Sequence, residues 1–578
     1  MCGIVGYIGD NLPKKVLYDG LAKLEYRGYD SAGIAIIEEN KIIIKKAVGK
    51  LNALGEVLNK EYIQGNMGIG HTRWATHGGP TVKNAHPHMD CKGELVLVHN
   101  GIIENYLELR AELIKKGHIF KSETDTEVIV HLIEEYYTGN LYGAVKKSLK
   151  YLDGAYAIAV MSKKEADKII VARQGSPLVL GIGEGENLIA SDIPAVLEYT
   201  KNVVFLDDGD MAIVKKDEVI FTDLEGNEID KEITKIDWSV EMAEKNGYKH
   251  FMLKEIYEQP RVIEDTLRGK IKEDSVNLEE ISLTDEEVKD IEKINIVACG
   301  TSYHAGLVGK YILEEKLRIP VEVDVASEFR YKDPILSEKN LVIVISQSGE
   351  TADTLAGLRE AKLKNAKVIG IINVVGSTIT READGTIYTN AGPEIGVAST
   401  KAFVSQLIAL YILLLYLGEK LDKLNKEERK KIIENLNKLP EMVDEVLKRD
   451  DEILKASEEF KNVNSLMFIG RNINYPIALE GALKLKEISY IHAEGYPAGE
   501  LKHGPIALIE EMVPTVAIAP RSSKTYEKII SNIQEIKARS GKIIAVATDG
   551  DELIKNHADV ILKIHDIDEL FTPVLAVL

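Results

Sequence analysis

The chain has 578 residues, of which 45% are apolar and 28% are charged, the mixture of an ordinary globular protein. At ~100–200 residues per domain, this length predicts three or more domains. The formal net charge of −20 disfavours binding to nucleic acid or to an anionic membrane surface, although a local ring of backbone N–H groups can still bind phosphate.

The first region, residues 2–215, contains short apolar runs separated by turns, a pattern that predicts the strands of a layered sheet protein. Two segments, 105–116 and 126–137, have apolar residues at three- and four-residue spacing and predict helices. Residues 216–289 are rich in charge, and we interpret them as a linker followed by helical packing elements. The predicted strands are Cys2–Ile8, Gly33–Ile37, Gly68–His71, Leu95–His99, Ala155–Met161 and Lys168–Ala172.

From about residue 290 the pattern changes to buried strand, loop and helix, which is typical of a doubly wound α/β sheet. The second half of this region repeats the first, since LMFIGRNINYPIALEGALKLKEI echoes IVACGTSYHAGLVGKYILEEKL. We therefore predict two tandem α/β domains, at 290–430 and 455–578. The apolar run Leu407–Leu417 is too short to span a bilayer, which needs ~20 residues, and predicts a buried core helix.

The three cysteines, Cys2, Cys91 and Cys299, match neither a zinc-binding spacing nor a CxxC redox pair. Their small number favours a reducing, cytoplasmic compartment without structural disulfides. Residues 1–20 lack the basic and apolar regions of a signal peptide.

Cys2 is the first candidate for chemistry. Removal of Met1 would make Cys2 the N-terminal residue, and an α-amine with a pKa near ~8 can act as general base toward the thiol. The thiol needs that base because the thiolate is the reactive form. A cysteine beside the start codon is by itself weak evidence, so the interpretation depends on other segments.

Those segments contain groups that could bind a free amino acid with a side-chain amide. Arg73, in the loop HTRWATHGG, can bind an α-carboxylate through two hydrogen bonds. Asp125, in SETDTE, can pair with an ammonium group. Asn100 and Gly101 follow a predicted strand and can donate hydrogen bonds to an oxyanion. With Cys2 placed at the side-chain carbonyl, these groups describe glutamine as the substrate.

The motifs CGIVGYIG, EYRGYDSAGIA, HTRWATHG, HNGIIENY and SETDTE resemble those of the class II glutamine amidotransferase domain, and they cover nearly all of residues 2–215. The resemblance implies an N-terminal-nucleophile hydrolase fold, an α+β layered sandwich. It implies that Cys2 is the nucleophile and that Asn100 and Gly101 form the oxyanion hole. The glutamine ligands that it implies are Arg73, Thr76, His77, Gly101 and Asp125.

Two loops in the C-terminal half suit phosphate. SQSGET, at 346–351, follows a predicted strand and opens a helix, so that hydroxyls, backbone N–H groups and a helix N-terminus come together. CGTS, at 299–302, is a second turn of this kind. Neither loop is a Walker A or GxGxxG motif.

With the tandem repeat, these loops resemble sugar isomerase (SIS) domains, which are doubly wound, flavodoxin-like and bind phosphosugars. The second repeat has Arg521, Ser522, Ser523 and Lys524 where the first has SQSGET. We therefore predict one phosphosugar site per chain, built mainly on the first repeat.

Three further side chains suit aldose–ketose chemistry. Lys484 and Glu487 lie three residues apart in LEGALKLKEISY and therefore on one helical face, and His503 lies in the loop ELKHGP. A carboxylate such as Glu487 can move a proton between C1 and C2, and His503 can assist ring opening. A salt bridge with a solvated loop histidine is the alternative interpretation of these residues.

The order amidotransferase, linker, SIS, SIS, together with the linker segment HFMLKEIYEQP, resembles the glutamine–fructose-6-phosphate aminotransferase (isomerizing) family, the glucosamine-6-phosphate synthases. The resemblance implies glutamine and D-fructose 6-phosphate as substrates, with D-glucosamine 6-phosphate and glutamate as products. It also implies no metal and no organic cofactor. A homodimer joined through the SIS halves is implied, in which His503 serves the partner chain's site.

The same resemblance implies further roles for residues. Lys484, Glu487 and His503 take part in ring opening and isomerisation, and Trp74 gates the passage of ammonia between domains. The expected ligands of the sugar phosphate are Thr301, Ser302, Ser346, Gln347, Ser348, Thr351 and Val397.

The chain ends at FTPVLAVL, whereas the family is expected to continue into a tail that carries the Schiff-base lysine. Glutamine hydrolysis alone is therefore one alternative. A second is an SIS amidotransferase acting on another phosphosugar or deglycating an amino-acid adduct, although a deglycase needs no glutamine site. A third is a non-catalytic phosphosugar sensor, which is disfavoured because no basic helix-turn-helix-like segment is found.

Overall fold

The computed structural model describes residues 2–238, 242, 244–272 and 274–578. The chain divides into two compact units, Met1–Glu244 and Lys245–Leu578. Met1, on whose removal the nucleophile prediction depends, lies outside the described residues, as do residues 239–241, 243 and 273 of the predicted linker.

The first unit contains two antiparallel sheets and five α-helices within its described part. Its strands are β1 (Gly3–Gly9), β2 (Ser31–Glu38), β3 (Lys41–Val48), β4 (Met67–Arg73), β5 (His88–Met89), β6 (Leu95–Ile103), β7 (Gly154–Ser162), β8 (Ile169–Gln174), β9 (Val179–Ile182), β10 (Glu186–Ala190), β11 (Asn202–Phe205), β12 (Met211–Val214), β13 (Val219–Thr222) and β14 (Thr234–Lys235). Its helices are α1 (Pro13–Lys23), α2 (Leu51–Leu58), α3 (Tyr106–Lys115), α4 (Glu127–Tyr136) and α5 (Leu141–Leu149).

The two sheets pack face to face, and helices cover their outer faces. The eight-stranded sheet has the order β14-β11-β9-β10-β1-β4-β2-β3, and the six-stranded sheet has the order β13-β12-β8-β7-β6-β5. Ile4 and Ile8 of β1 share a core with Val98 of β6 and Ala157 of β7, between the sheets. Helix α1 packs on β1, while α4 and α5 pack on the six-stranded sheet. Both faces of β1 are thus covered, which is why its seven residues are all buried.

The predicted strands and the two predicted helices of the first region are present with small shifts of their ends. The strands β3, β5 and β9 to β14 are not among the predicted ones, and neither are the helices α1, α2 and α5. The sheets also continue past residue 215, because β13 pairs with β12 and β14 pairs with β11. The boundary predicted at 215 is therefore too early.

The second unit contains two parallel sheets. Its strands are β15 (Lys293–Ala298), β16 (Val321–Val325), β17 (Asn340–Ser346), β18 (Lys367–Ile372), β19 (Gly385–Tyr388), β20 (Ser465–Gly470), β21 (His492–Pro497), β22 (Thr515–Ala519), β23 (Ile543–Thr548) and β24 (Val560–Ile564). Its helices are α6 (Phe251–Tyr257), α7 (Gln259–Leu267), α8 (Asp285–Lys289), α9 (Gly300–Leu317), α10 (Ala326–Phe329), α11 (Ala352–Leu363), α12 (Thr378–Glu382), α13 (Lys401–Lys420), α14 (Lys426–Leu447), α15 (Asp450–Phe460), α16 (Tyr475–Ser489), α17 (Tyr526–Lys537) and α18 (Thr572–Ala576).

The two sheets have the same topology, with strand orders β16-β15-β17-β18-β19 and β21-β20-β22-β23-β24. Numbered within each sheet, both orders are 2-1-3-4-5, the flavodoxin-like arrangement. In such a sheet ligands bind beyond the carboxyl ends of the first and third strands, where the direction of winding reverses. In the first sheet these are β15 and β17, which precede the loops CGTS and SQSGET.

Helix α13 is the centre of the second unit. It is buried from Lys401 to Gly418 and packs against α7 and α9. Among the described residues, this helix alone has the length and apolar composition to cross a membrane. Its burial agrees with the predicted core helix around Leu407–Leu417.

Candidate functional site

Cys2 lies immediately before β1, next to the edge formed by the ends of β1 and β4. Its carbonyl oxygen accepts hydrogen bonds from Arg27 Nε at 3.0 Å and from Asn100 Nδ2 at 3.0 Å. The backbone N–H of Trp74 donates to the Cys2 Sγ at 3.3 Å. The backbone and the thiol of Cys2 are therefore both held by neighbouring residues.

Burial raises the pKa of the Cys2 thiol, and the Trp74 N–H and the positive charges of Arg73 and Arg27 act in the opposite direction. The net effect raises the pKa of the Cys2 thiol, which favours its protonated form. A base must remove that proton before the sulfur can attack, which agrees with the role predicted for the α-amine of Cys2.

Asn100 and Gly101 lie on β6 beside Cys2. The Asn100 amide donates to the Cys2 carbonyl and, at 2.8 Å, to Ser191 Oγ. Gly101 has a φ of +131°, and a Cβ there would lie 1.9 Å from the carbonyl oxygen of Ala155, so only glycine fits. The predicted oxyanion donors are thus next to the predicted nucleophile, with the Asn100 amide already hydrogen-bonded.

The predicted glutamine ligands surround the same edge. Arg73 is buried and donates to the carbonyls of His77, Gly78 and Gly79, so it also holds its own loop in place. Its pKa is lowered by burial, while the charges of Cys2, Asp125 and Asp30 act to raise it, so Arg73 interacts electrostatically with both Cys2 and Asp125.

The other glutamine ligands differ in exposure. Asp125 is buried, and its Oδ2 accepts from the backbone N–H of Ile103 at 2.9 Å. Thr76 is exposed and lies 3.4 Å from the Nδ1 of the half-buried His77. Their roles in glutamine binding remain predictions.

Trp74, the predicted gate, follows β4 directly. Its side chain is 42% exposed and packs edge-on against Tyr29, with ring centroids 5.1 Å apart. Its backbone N–H donates to the thiol of Cys2, so a movement of this loop would shift a hydrogen-bond partner of the nucleophile.

The sequence reasoning missed Arg27. Its guanidinium is buried, donates to the Cys2 carbonyl and lies 3.4 Å from Asp192 Oδ2, which Tyr26 also contacts. Tyr26 and Arg27 belong to the motif EYRGYDSAGIA. The arginine in this motif was a signal that could have been followed, because a basic side chain beside a predicted strand needs a partner.

A group of four histidines is buried beneath the site, and it too was not predicted. His71 Nε2 lies 3.0 Å from Asn100 Oδ1 and 3.0 Å from His86 Nδ1. Burial lowers the pKa of all four imidazoles, that of His71 to about 3. The histidines are therefore neutral near pH 7 and act as hydrogen-bonding groups. They are His71, His86, His88 and His99.

The predicted phosphate loops lie at the carboxyl ends of β15 and β17, where α9 and α11 begin. Ser346 Oγ is 2.9 Å from Thr351 Oγ1 and accepts from the backbone N–H of Gly349 at 3.1 Å. Gly349 has a φ of +67°, and a Cβ there would lie 2.0 Å from Ser377 Oγ. The loop thus folds tightly around its hydroxyl groups, while Gln347 and Ser348 are half-buried.

Thr301, at the start of α9, forms hydrogen bonds with side chains of α16, a helix of the second sheet domain. Thr301 Oγ1 donates to Glu480 Oε1 at 2.9 Å, and Lys484 Nζ donates to Thr301 Oγ1 at 3.0 Å. Lys484 also pairs with Glu487 Oε2 at 2.7 Å, as its three-residue spacing predicts. Two of the three residues predicted for isomerisation therefore lie next to one predicted phosphate loop.

Glu480 is a second residue that was missed. Its carboxylate is buried and contacts His304 Nδ1 at 2.7 Å and Lys484 Nζ at 3.3 Å. Burial alone would raise its pKa, but these two partners outweigh burial and lower it. Glu480 and Lys484 are four residues apart on α16, a spacing from which the pair could have been found.

Ser302 belongs to the CGTS loop and contacts α13, whereas Val397 lies in the segment before α13. Ser302 Oγ accepts from Gln406 Nε2 at 3.0 Å. The segment before α13 is held by the buried Glu394, which accepts from the backbone N–H of Thr400 at 2.8 Å. Val397 is 46% exposed at the tip of this segment.

His503 ends a short 3-10 helix, Ala498–His503, and is exposed. It makes no hydrogen bond or ion pair with any residue that the structure describes. Within the part of the chain that the structure describes, no hydrogen bond or ion pair thus joins His503 to Lys484 or Glu487.

The corresponding loop of the second repeat has a different electrostatic character. Ser523 Oγ donates to Glu569 Oε1 at 2.7 Å, and Glu569 is buried. Lys524 Nζ pairs with Glu315 Oε1 at 2.7 Å, outside this loop. Because the Ser523 hydroxyl already donates to the buried Glu569 carboxylate, the negative charge of this carboxylate would repel a phosphate bound at the loop.

Comparison with known proteins agrees with this division of the chain. The model of the glutamine amidotransferase domain matches residues 35–235, and the model of the SIS domain matches residues 287–416 and 459–573. The glutamine–fructose-6-phosphate aminotransferase (isomerizing) of Caldanaerobacter subterraneus subsp. tengcongensis is 54% identical over 578 residues, covering 100% of this chain and 95% of the relative. The enzyme of the same name from Aquifex aeolicus is 52% identical with the same coverage.

A solved structure is similar to the second unit. The C-terminal domain of glucosamine-fructose-6-phosphate aminotransferase from Francisella tularensis is 43% identical, with a TM-score of 0.55. The similarity covers 57% of this chain and 93% of that domain.

Proposed function

The chain belongs to the glutamine–fructose-6-phosphate aminotransferase (isomerizing) family, and from this premise we propose that it converts glutamine and D-fructose 6-phosphate to glutamate and D-glucosamine 6-phosphate. Glutamine and a sugar phosphate are the substrates that its two kinds of domain take. The reaction divides between them, since one domain releases ammonia and the other attaches it.

In the first unit, the Cys2 thiolate attacks the side-chain carbonyl carbon of glutamine. Asn100 and Gly101 stabilise the oxyanion, the C–N bond breaks, and ammonia leaves with the proton that the thiol gave up. Water then hydrolyses the thioester and frees glutamate. The hydrogen bonds from Arg27 and Asn100 to the Cys2 carbonyl support this assignment because they fix the nucleophile's backbone.

In the second unit, the sugar phosphate binds the hydroxyl-rich loops at the ends of β15 and β17. Ammonia condenses with the C2 carbonyl of the open-chain sugar, and water leaves. Glu487 then moves a proton from C1 to C2, and the proton of the C1 hydroxyl passes to the nitrogen, so the product carries an amine at C2 and an aldehyde at C1. Lys484 Nζ lies 2.7 Å from Glu487 Oε2 and so orients this side chain.

The observation that carries this proposal is the contact between Lys484 Nζ and Thr301 Oγ1 at 3.0 Å. It places the side chains suited to proton transfer beside a loop suited to phosphate. Only a reaction on the carbon skeleton of the phosphosugar needs both. A sensor without catalysis needs the loop alone.

The alternatives from the sequence are weaker on these grounds. The relatives match over both halves of the chain, which argues against an activity that ends with glutamine hydrolysis. The carboxylate of Glu569 in the second repeat supports one phosphosugar site per chain.

We further propose a cytoplasmic homodimer. All three cysteines are free, which supports a reducing compartment. The exposed His503 supports the dimer because its imidazole, which makes no hydrogen bond or ion pair with the described residues of its own chain, is available to the sugar site of a second chain.

The test is an assay with glutamine labelled with ¹⁵N in its side-chain amide, together with fructose 6-phosphate. We expect labelled glucosamine 6-phosphate from the unmodified chain and neither glutamate nor amino sugar from Cys2→Ala. Glu487→Gln should still release glutamate while losing amino sugar. Release of glutamate without amino sugar by the unmodified chain would refute the synthase proposal, and glutamate release by Cys2→Ala would refute the nucleophile.

A further inference from the structure

A cluster of four side chains in the first unit has no role in the reaction proposed above. Cys91 lies in the turn between β5 and β6, His118 follows α3, and His131 and Glu134 lie three residues apart on α4. One sulfur, nitrogen or oxygen atom from each of the four lies within 4.8 Å of the other three. The cluster brings three separate parts of the fold together.

The distances within the cluster are those of a metal site. Cys91 Sγ lies 3.7 Å from His118 Nδ1 and 3.6 Å from His131 Nδ1. Glu134 Oε2 lies 3.1 Å from His118 Nδ1 and 3.3 Å from His131 Nδ1. With Zn–S near ~2.3 Å and Zn–N and Zn–O near ~2.0–2.1 Å, a tetrahedral zinc places sulfur about 3.5 Å from nitrogen and nitrogen about 3.3 Å from oxygen.

The second nitrogen of each imidazole faces a further carboxylate. His118 Nε2 lies 2.9 Å from Glu135 Oε1, and His131 Nε2 lies 3.5 Å from Glu127 Oε1. In metal sites a carboxylate usually accepts from the histidine nitrogen that does not bind the metal, which orients the ring. Both rings are therefore turned so that Nδ1 is left for the centre of the cluster.

Sulfur and carboxylate are also supported from the backbone. The N–H of Ile119 donates to Cys91 Sγ at 3.3 Å, and the N–H of Cys91 donates to Glu134 Oε2 at 3.1 Å. The other oxygen of Glu134 pairs with Lys92 at 3.4 Å, which leaves Oε2 toward the cluster. A thiolate and a carboxylate together balance the charge of a divalent cation. Without a cation, two anions placed side by side would repel each other.

We propose that Cys91, His118, His131 and Glu134 bind a zinc ion with a structural role. One thiolate, two imidazoles and one carboxylate are ligands that zinc accepts, and four protein ligands leave no position for a substrate. His131 and Glu134 are buried, while Cys91 is exposed and gives the ion a route of entry. The site is separate from the glutamine chemistry assigned to Cys2.

The position of the ion explains what it stabilises. It joins the turn before β6 to α4, and β6 carries Asn100 and Gly101, while Asp125 lies two residues before α4. Zinc would thus hold together the two elements that carry the oxyanion donors and the predicted ammonium ligand. Its loss should loosen the first unit before it changes the chemistry of the thiol.

The experiment uses the full chain in the Cys2→Ala background, so that the nucleophile's thiol cannot bind the probe. After dialysis, elemental analysis should find about one zinc per chain. Replacement by Co²⁺ should give the intense visible bands of tetrahedral cobalt together with a thiolate-to-cobalt charge-transfer band. Cys91→Ser should remove the charge-transfer band, and the matched control Cys299→Ser should keep it.

A second measurement reports on stability. Both tryptophans, Trp74 and Trp238, lie in the first unit, so their fluorescence follows the unfolding of that unit. A chelator should lower the thermal unfolding midpoint of the Cys299→Ser chain by ~5 °C or more. The same chelator should leave the unfolding midpoint of His118→Gln unchanged. The absence of bound zinc and cobalt in the folded chain, or a cobalt spectrum unaffected by Cys91→Ser, would overturn the proposal and leave a hydrogen-bonded cluster only.

Discussion

At the scale of single residues, the glutamine site depends on how the backbone of Cys2 is held. Its carbonyl receives a charged hydrogen bond from Arg27 and a neutral one from Asn100. Arg27 is buried against Asp192 and cannot easily move away. The position of the nucleophile is therefore set by residues far from it in the chain.

We expect Arg27→Met to reduce kcat for glutamate release by about 10- to 100-fold. A hydrogen bond to a charged group contributes about 1.5–3 kcal/mol, and each 1.36 kcal/mol corresponds to a tenfold change in rate. The matched control is Lys216→Met, which removes an exposed ion pair with Asp10 in the same unit. Steady-state glutamate release measures both. An unchanged kcat in Arg27→Met would mean that Asn100 alone positions Cys2.

At the scale of elements, β4, β5 and β6 enclose the buried histidines. The side chain of His71 on β4 contacts the carbonyl oxygen of His99 on β6 at 3.0 Å, and the His99 side chain contacts Thr126, just before α4, at 2.9 Å. Neutral imidazoles are required there because no described carboxylate pairs with His71 or His86. The packing of these strands should therefore depend on pH.

The unfolding free energy of the first unit should fall as the pH falls below 6.5. Burial lowers the pKa of His71 from 6.5 to about 3, so between these values the unfolded state binds a proton that the folded state does not. From pH 7.5 to 5, one such imidazole accounts for a loss of about 2 kcal/mol. Urea unfolding followed by tryptophan fluorescence measures this loss.

The variant His71→Gln keeps a hydrogen-bond donor but cannot titrate, so it should be less stable overall and less sensitive to pH. Cys2→Ala alters the same site without removing an imidazole and should keep the original pH dependence. Equal pH dependence in His71→Gln and the unmodified chain would contradict the argument.

At the scale of the whole molecule, no described hydrogen bond or ion pair joins the two predicted halves of the isomerisation chemistry within one chain. Lys484 and Glu487 lie beside Thr301, whereas His503 is exposed. If His503 serves the partner's site, an active site needs Glu487 from one chain and His503 from the other. Mixed dimers can separate these contributions.

We expect the Glu487→Gln and His503→Ala variants to lose amino-sugar synthesis when each is assayed as a dimer of identical chains. After unfolding and refolding as a mixture, about one quarter of the unmodified activity should return. Half of the dimers would then be mixed, and each mixed dimer has one intact site. Recovery of no activity, with mixed dimers verified by mass spectrometry, would place His503 in its own chain's site, whereas full activity of His503→Ala alone would place this residue outside the reaction. His557→Ala, an unrelated loop histidine, serves as the control.

Local patterns in the sequence determined the types of element and the chemistry of the two main sites. Apolar runs and their spacing were sufficient for β1, α4 and the tandem α/β repeats, because burial acts on each strand or helix separately. Short motifs were sufficient to predict roles for Cys2, Asn100 and the loop Ser346–Thr351, because each combines several chemical groups within a few residues.

Only the tertiary structure decided which distant groups meet. Arg27 reaches Cys2 across 25 positions, and Glu480 reaches Thr301 across 179. The three cysteines showed no zinc spacing, yet Cys91 meets His118, His131 and Glu134 because the β5–β6 turn packs against α3 and α4. Sequence spacing detects ligands on one element, as with His131 and Glu134, but not ligands brought together by packing. Chain folding, rather than local spacing, therefore decided the proposed zinc site.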